Sequence, residues 1–135
     1  MKNVLVAFIL MFALILLCAC DGNISSYSAT LLITTSNGDS ASMQFHTFRG
    51  TRSFKLKTSD VGDRAIDFKA SLAEGEMNVY ISVDGEKELL VTVKGGESYN
   101  EAIALDEKYN NEKTISIILE SEDKSVDGSF KFEYN

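Results

Sequence analysis

The residues able to do chemistry are few and scattered. His46 is the sole histidine, and in Phe45-His46-Thr47-Phe48 it alternates with apolar neighbours, so it reads as an outward-facing strand residue rather than a base. A catalytic serine needs a base and an elbow to present it, and no Gly-x-Ser-x-Gly occurs. Three acidic segments, Asp60/Asp63/Asp67, Asp106/Glu107/Asn110/Glu112 and Glu122/Asp123/Asp127, could offer loop oxygens to calcium, but none follows the twelve-position calcium loop. On this reading no catalytic residue, metal site or cofactor is assigned, with calcium in an acidic loop as the one open alternative.

Charge and aromatic rings leave more to work with. Residues 49–69 hold Arg49, Arg52, Lys55, Lys57, Arg64 and Lys69 against Asp60, Asp63 and Asp67, a net of +3, whereas residues 70–135 hold six lysines against fifteen acids, a net of −9. The candidate ligand-binding residues are therefore Arg52, Lys55, Lys57 and Lys69, read as a compact basic face for phosphate headgroups, an anionic polymer or an acidic protein. Tyr80, placed outward by its apolar neighbours, and Tyr109, in a polar turn, could stack on a sugar ring. Tryptophan, the commoner stacking residue, is absent.

The N-terminus decides where these groups work. Lys2 supplies a positive start, Val4 to Leu17 is an uninterrupted apolar run, and Leu17-Cys18-Ala19-Cys20 closes it, the layout of an export signal helix. The run falls short of the roughly 20 apolar residues of a spanning helix. Those last four residues resemble the lipobox of bacterial lipoproteins, an aliphatic residue and two small ones before a cysteine. The resemblance implies a signal peptide over residues 1–19, a diacylglyceryl group on the thiol of Cys20, and a protein held at the extracytoplasmic face of the cell membrane. Residues 20–26 would form the lipidated cysteine and a short tether. With Cys18 discarded and Cys20 lipidated, no thiol remains for a disulfide or a cysteine-ligated metal.

The body, residues 27–135, is about one domain. Its polarity alternates with a period of two: Tyr27, Ala29, Leu31 and Ile33; Ala41, Met43 and Phe45; Phe54 and Leu56; Ile66, Phe68, Ala70 and Leu72; Met77, Val79, Ile81 and Val83; Leu89, Val91 and Val93; Phe130, Phe132 and Tyr134. Tyr99, Ile103 and Leu105 suit a further strand, and residues 114–121 are rich in Ile and Leu. Asn37-Gly38, Gly50, Glu74-Gly75, Asp84-Gly85 and Gly95-Gly96 mark turns between them. Eight or nine short strands without a helical period predict an all-β, antiparallel β-sandwich, jelly-roll or immunoglobulin-like. Residues 65–134, with Gly75-Glu76-Met77-Asn78-Val79-Tyr80-Ile81-Ser82-Val83-Asp84-Gly85 and the closing Asp127-Gly128-Ser129-Phe130-Lys131-Phe132, look like the second half of secreted bacterial jelly-roll domains. That resemblance implies no site residue.

Together these readings describe a membrane-anchored extracytoplasmic lipoprotein that serves as a non-catalytic binding or accessory module of the cell envelope. Its partners would be the membrane and an envelope protein, anionic polymer or glycan. A small inhibitor or immunity-type lipoprotein is the alternative and a minor hydrolase the third. Net charge −7 on an exported chain argues against nucleic acid. Processing gives the first test: Cys20→Ser abolishes lipid labelling and leaves precursor, while Cys18→Ser is processed normally because that position needs only a small residue. Equal labelling of the two variants contradicts the assignment.

Overall fold

The computed structural model describes residues 25–58, 64–109 and 112–134. Their regular structure is β1 (Ser26–Thr30), β2 (Ile33–Asn37), β3 (Ser40–Lys57), β4 (Ala65–Glu74), β5 (Glu76–Val83), β6 (Glu86–Lys94), β7 (Ser98–Ala104) and β8 (Thr114–Tyr134), with one 3-10 turn at Glu107–Tyr109. Every strand pairing is antiparallel. The all-β sandwich that the alternation predicts is therefore present, with one difference. Two strands are long rather than short: β3 has 18 residues and passes through Gly50, and β8 has 21 and passes through the acidic segment 122–127.

The register explains why these strands do not break. The first half of β3 pairs with the end of β8 (Ala41 with Phe132, Met43 with Phe130), and its second half pairs with the beginning of β8 (Phe54 with Ile117, Leu56 with Ile115). β4 joins the end of β8 and β5 its beginning, β7 flanks β4, and β6 flanks β5. β2 flanks the first half of β3 (Ser40–Gln44), and β1 flanks its middle (Thr47–Thr51). The result is two leaves, β2-β3-β8-β4-β7 and, with the start of β1 at its edge beside Gly50 and Thr51, β1-β3-β8-β5-β6, connected because β3 and β8 run through both.

The leaves are folded onto each other. Straight, β3 would span roughly 60 Å at about 3.3 Å per residue. Instead, the N–H of Lys57, its last residue, donates to the Gly38 carbonyl just before its start at 2.8 Å, and the Tyr134 N–H reaches the Asp39 carbonyl at 2.8 Å. Inward-facing residues change parity across the bend, from Ala41, Met43 and Phe45 to Phe48, Phe54 and Leu56 in β3, and from Ile115, Ile117 and Leu119 to Phe130, Phe132 and Tyr134 in β8. In β3 the switch falls between Phe45 and Phe48; just after it, between Phe48 and Gly50, the pairing is irregular, with four residues of β8 (Ser125 to Ser121) spanning two of β3. Phe132 stacks on Phe68 at 5.2 Å and Phe45 on Phe130 at 6.2 Å. With no helix over either leaf among the described residues, each leaf is the other's cover, and the inner faces form one continuous core.

Backbone meets backbone along the bend. A Cβ built on Gly50, where φ is +117°, would stand 2.3 Å from the Ser26 carbonyl oxygen and 2.7 Å from Tyr27 Cα, and one on Gly75, at φ +97°, would stand 2.8 Å from Ser125 Cα. The last of these neighbours belongs to a buried polar joint. Ser121 Oγ lies 2.7 Å from Ser125 Oγ, 2.6 Å from the Asp123 carbonyl oxygen and 2.9 Å from that of Glu76, which ties the bent part of β8 to the start of β5. Both serines are fully enclosed, so these bonds replace the water that their hydroxyls give up.

Two substitutions separate crowding from backbone strain. Gly50→Ala and Gly85→Ala both place a side chain at positive φ, but a Cβ on Gly85 meets nothing within 4 Å. Urea unfolding is expected to show Gly85→Ala costing about 1 kcal/mol and Gly50→Ala on the order of 3 kcal/mol. Equal losses would show that the bend tolerates a side chain.

Candidate functional site

The outer face of the β1-β3-β8-β5-β6 leaf carries a groove of about 670 Å³. Cross-strand register builds its floor: Lys55, Ser116 and Ser82 lie side by side on β3, β8 and β5, and beside them run Ser53, Ile118 and Tyr80. Ser53 and Ser82 are the buried members, 9% and 8% exposed, although they face outward. The β5–β6 turn at Asp84-Gly85 forms one wall, and Lys87 and Glu120 are ion-paired at 3.0 Å along the rim. Lys55 is exposed and makes no ion pair among the described residues. Hydroxyls on the floor, an aliphatic strip at Ile118 and one available ammonium suit a hydroxylated, anionic ligand lying across the strands.

Tyr80 sits half-buried beside this groove, and the Lys87 ammonium lies 4.3 Å from its ring centroid. Thus the outward orientation expected for Tyr80 is met, but a cation occupies one face of the ring. Next to it, a second hollow of about 410 Å³ is lined by Glu88, Lys108 and Tyr109. The Tyr109 hydroxyl donates to Glu88 Oε2 at 2.9 Å, and the Lys108 ammonium binds the same oxygen. The Lys108 bond, followed by that from Tyr109, holds the Glu88 carboxyl below its ordinary range. Burial, then the bond to Glu88, pushes the Tyr109 phenol up, and Glu88 raises Lys108. A carboxyl held ionised is the opposite of a general acid.

Several sequence-based candidates change place. Tyr109 is no sugar platform: it is 9% exposed and packed into the core, with the Lys108 ammonium 5.1 Å from its ring and its carbonyl taken by Arg64 at 2.8 Å. The compact basic face does not form. Arg52 has the parity of Phe54 and Leu56, so it points inward, its guanidinium 5.5 Å from the Tyr27 ring and 5.4 Å from that of Phe54. Its Nε is enclosed without a hydrogen-bond partner among the described residues. Lys69 is opposite Lys131 on β8 and Asn100 on β7, on the outer face of the other leaf. Only Lys55 and Lys57 share a face, and Lys55 alone lines the groove.

The acidic segments also resolve differently. Asp60, Asp63 and Asn110 lie outside the described residues, as do Cys18 and Cys20. Asp106 Oδ1 accepts from the Lys108 N–H at 3.0 Å and so caps the 3-10 turn. Asp127 belongs to β8 rather than a loop and pairs with His46, Oδ1 to Nδ1 at 2.7 Å, with both side chains more than half exposed. That partner is 81 residues away in sequence, which alternation within one strand cannot reveal. The floor serines and Glu120 went unrecognised for the same reason: only the register between strands makes them neighbours. Among the described residues no three acidic or histidine side chains converge as metal ligands.

No protein-family model matches the chain, and no curated protein matches it. Solved structures with a similar strand course include a mutant family 29 carbohydrate-binding module complexed with mannohexaose (13% identity, TM-score 0.47, 84% of this chain and 79% of that one). TmCBM61 in complex with β-1,4-galactotriose is another (15% identity, TM-score 0.48, 84% and 90%). The Drosophila melanogaster CENP-C cupin domain is a third (16% identity, TM-score 0.32, 85% and 84%). At these scores the likenesses carry neither a site nor a ligand to this chain.

Proposed function

We propose that this chain is a non-catalytic binding module of the cell envelope, held at the extracytoplasmic face of the membrane by a diacylglyceryl group on Cys20, and that its groove takes an anionic polysaccharide. The observation that supports this is the groove floor, where the outward serines of three neighbouring strands lie beside Ile118 and the exposed ammonium of Lys55. Serine hydroxyls both donate to and accept from sugar hydroxyls, and a lysine adds attraction for a carboxylate or phosphate on the polymer. The groove runs open across the strands, which suits a chain-like ligand. Five residues separate Cys20 from Ser26, a reach of about 20 Å when extended, so the module would stay near the membrane surface.

Affinity electrophoresis on polygalacturonate, with uncharged mannan as the comparison, tests the reading. The protein is expected to be retarded by polygalacturonate, less so as salt rises, and only weakly by mannan. Lys55→Glu should weaken retention about tenfold, the equivalent of roughly 1.4 kcal/mol, by replacing an attraction with a repulsion. Lys69→Glu, on the opposite outer face, should leave it unchanged. Equal loss in both variants, or no retardation of the wild type, contradicts the proposal.

A further inference from the structure

We propose that the edge formed by β1 and β2 docks a second copy of this chain, with β1 of each copy pairing antiparallel with β2 of the other. Among the described residues both strands pair only with β3, so the other side of each presents unused backbone N–H and C=O groups. Natural proteins guard such edges with charge, and the opposite edge follows this rule, carrying Glu86, Lys87, Glu88 and Lys94 on β6 and Glu101 on β7. The β1/β2 edge does not. From Gly22 to Gly38 the sequence has no charged residue, and three of the four large apolar side chains left exposed among the described residues lie here: Tyr27 at 41%, Leu31 at 80% and Ile33 at 64%.

The geometry of the edge selects the occupant. β1 and β2 are five residues each and keep one register along β3 on either side of Leu31-Leu32, β1 opposite Thr47–Thr51 and β2 opposite Ser40–Gln44. A twofold axis through Leu31-Leu32 sets this edge antiparallel to its copy and brings β1 of each chain beside β2 of the other, and an isologous contact of this kind is closed. The implied register sets Tyr27 opposite Ser36, Ser28 opposite Thr35, Ala29 opposite Thr34 and Thr30 opposite Ile33. Side-chain parity agrees with it: Ser28 and Thr30 of β1 face outward, as do Ile33 and Thr35 of β2, whose partners on β3 are Gln44 and Ser42. Cross-strand neighbours must share a face, and a register shifted by one residue would violate this along the whole edge. The uncharged strands set no like charges against each other in this acidic chain. Leu31, held at φ +50° with its side chain in solvent, would lie at the axis and gain a neighbour there.

Charge placed at the predicted contacts tests this directly. The full chain in mild detergent is examined by sedimentation equilibrium with the detergent density-matched. The wild type is expected to have the mass of two chains at tens of micromolar. Ser28→Lys/Thr35→Lys sets lysine against lysine at both contacts and should weaken association at least tenfold, with unchanged melting because both positions are exposed. Ser28→Glu/Thr35→Glu should do the same, and an equimolar mixture of the two variants should restore the dimer as a heterodimer. A wild type that is monomeric up to 100 µM overturns the proposal, as does a mixture that associates no better than either variant alone.

Discussion

The constraint on which this structure depends is the close approach of backbones along a single bend. β3 and β8 both run from one leaf into the other, and at Gly50 and Gly75 the neighbouring main chain stands where a Cβ would be. Without that approach β3 and β8 would continue as straight ribbons with one apolar face in water. With it, Phe48, Phe68, Phe130 and Phe132 are enclosed, and each leaf shields the other. The buried Ser121–Ser125 joint holds the line in β8, where no glycine marks the turn and three consecutive charged residues, Glu122, Asp123 and Lys124, pass on the outside.

Folding the sheet double also determines what the surface can do. The core consumes the inner faces, so function is left with two outer faces and two edges. The face of the β2-bearing leaf is charged with both signs, Lys69 and Lys131 beside Asp67 and Glu133. The face of the β1-bearing leaf offers hydroxyls, an aliphatic strip and Lys55 in a groove. One edge is charged and the other is not. A binding face and an uncharged edge on the same leaf can be used together, because a strand added beyond β1 extends the leaf without covering the groove floor on β3, β8 and β5.

Much of the fold was legible in the sequence because period-two alternation reports directly on a half-buried strand. The inward residues of β4, β5 and the end of β8 were read correctly for that reason. What alternation cannot report is whether a glycine ends a strand or bends it. Gly50 reads as a turn, yet β3 continues through it, paired with Tyr27 on one side and Ser121 on the other. Arg52 was misplaced because a charged residue was taken as outward although its parity matches Phe54. The site was less legible than the fold: the groove is a property of register between β3, β8 and β5, and His46 meets Asp127 only through the β3–β8 pairing.

The doubled-over sheet is tested most directly by nuclear magnetic resonance at the place where the two ends of β3 meet. An overhauser effect between the Lys57 amide proton and the Gly38 α-protons, with slow exchange of that amide, is the result expected from a 2.8 Å hydrogen bond between residues 19 positions apart. A rapidly exchanging Lys57 amide with no contact to Gly38 would mean that β3 runs straight, and the shared core of the two leaves would then be wrong.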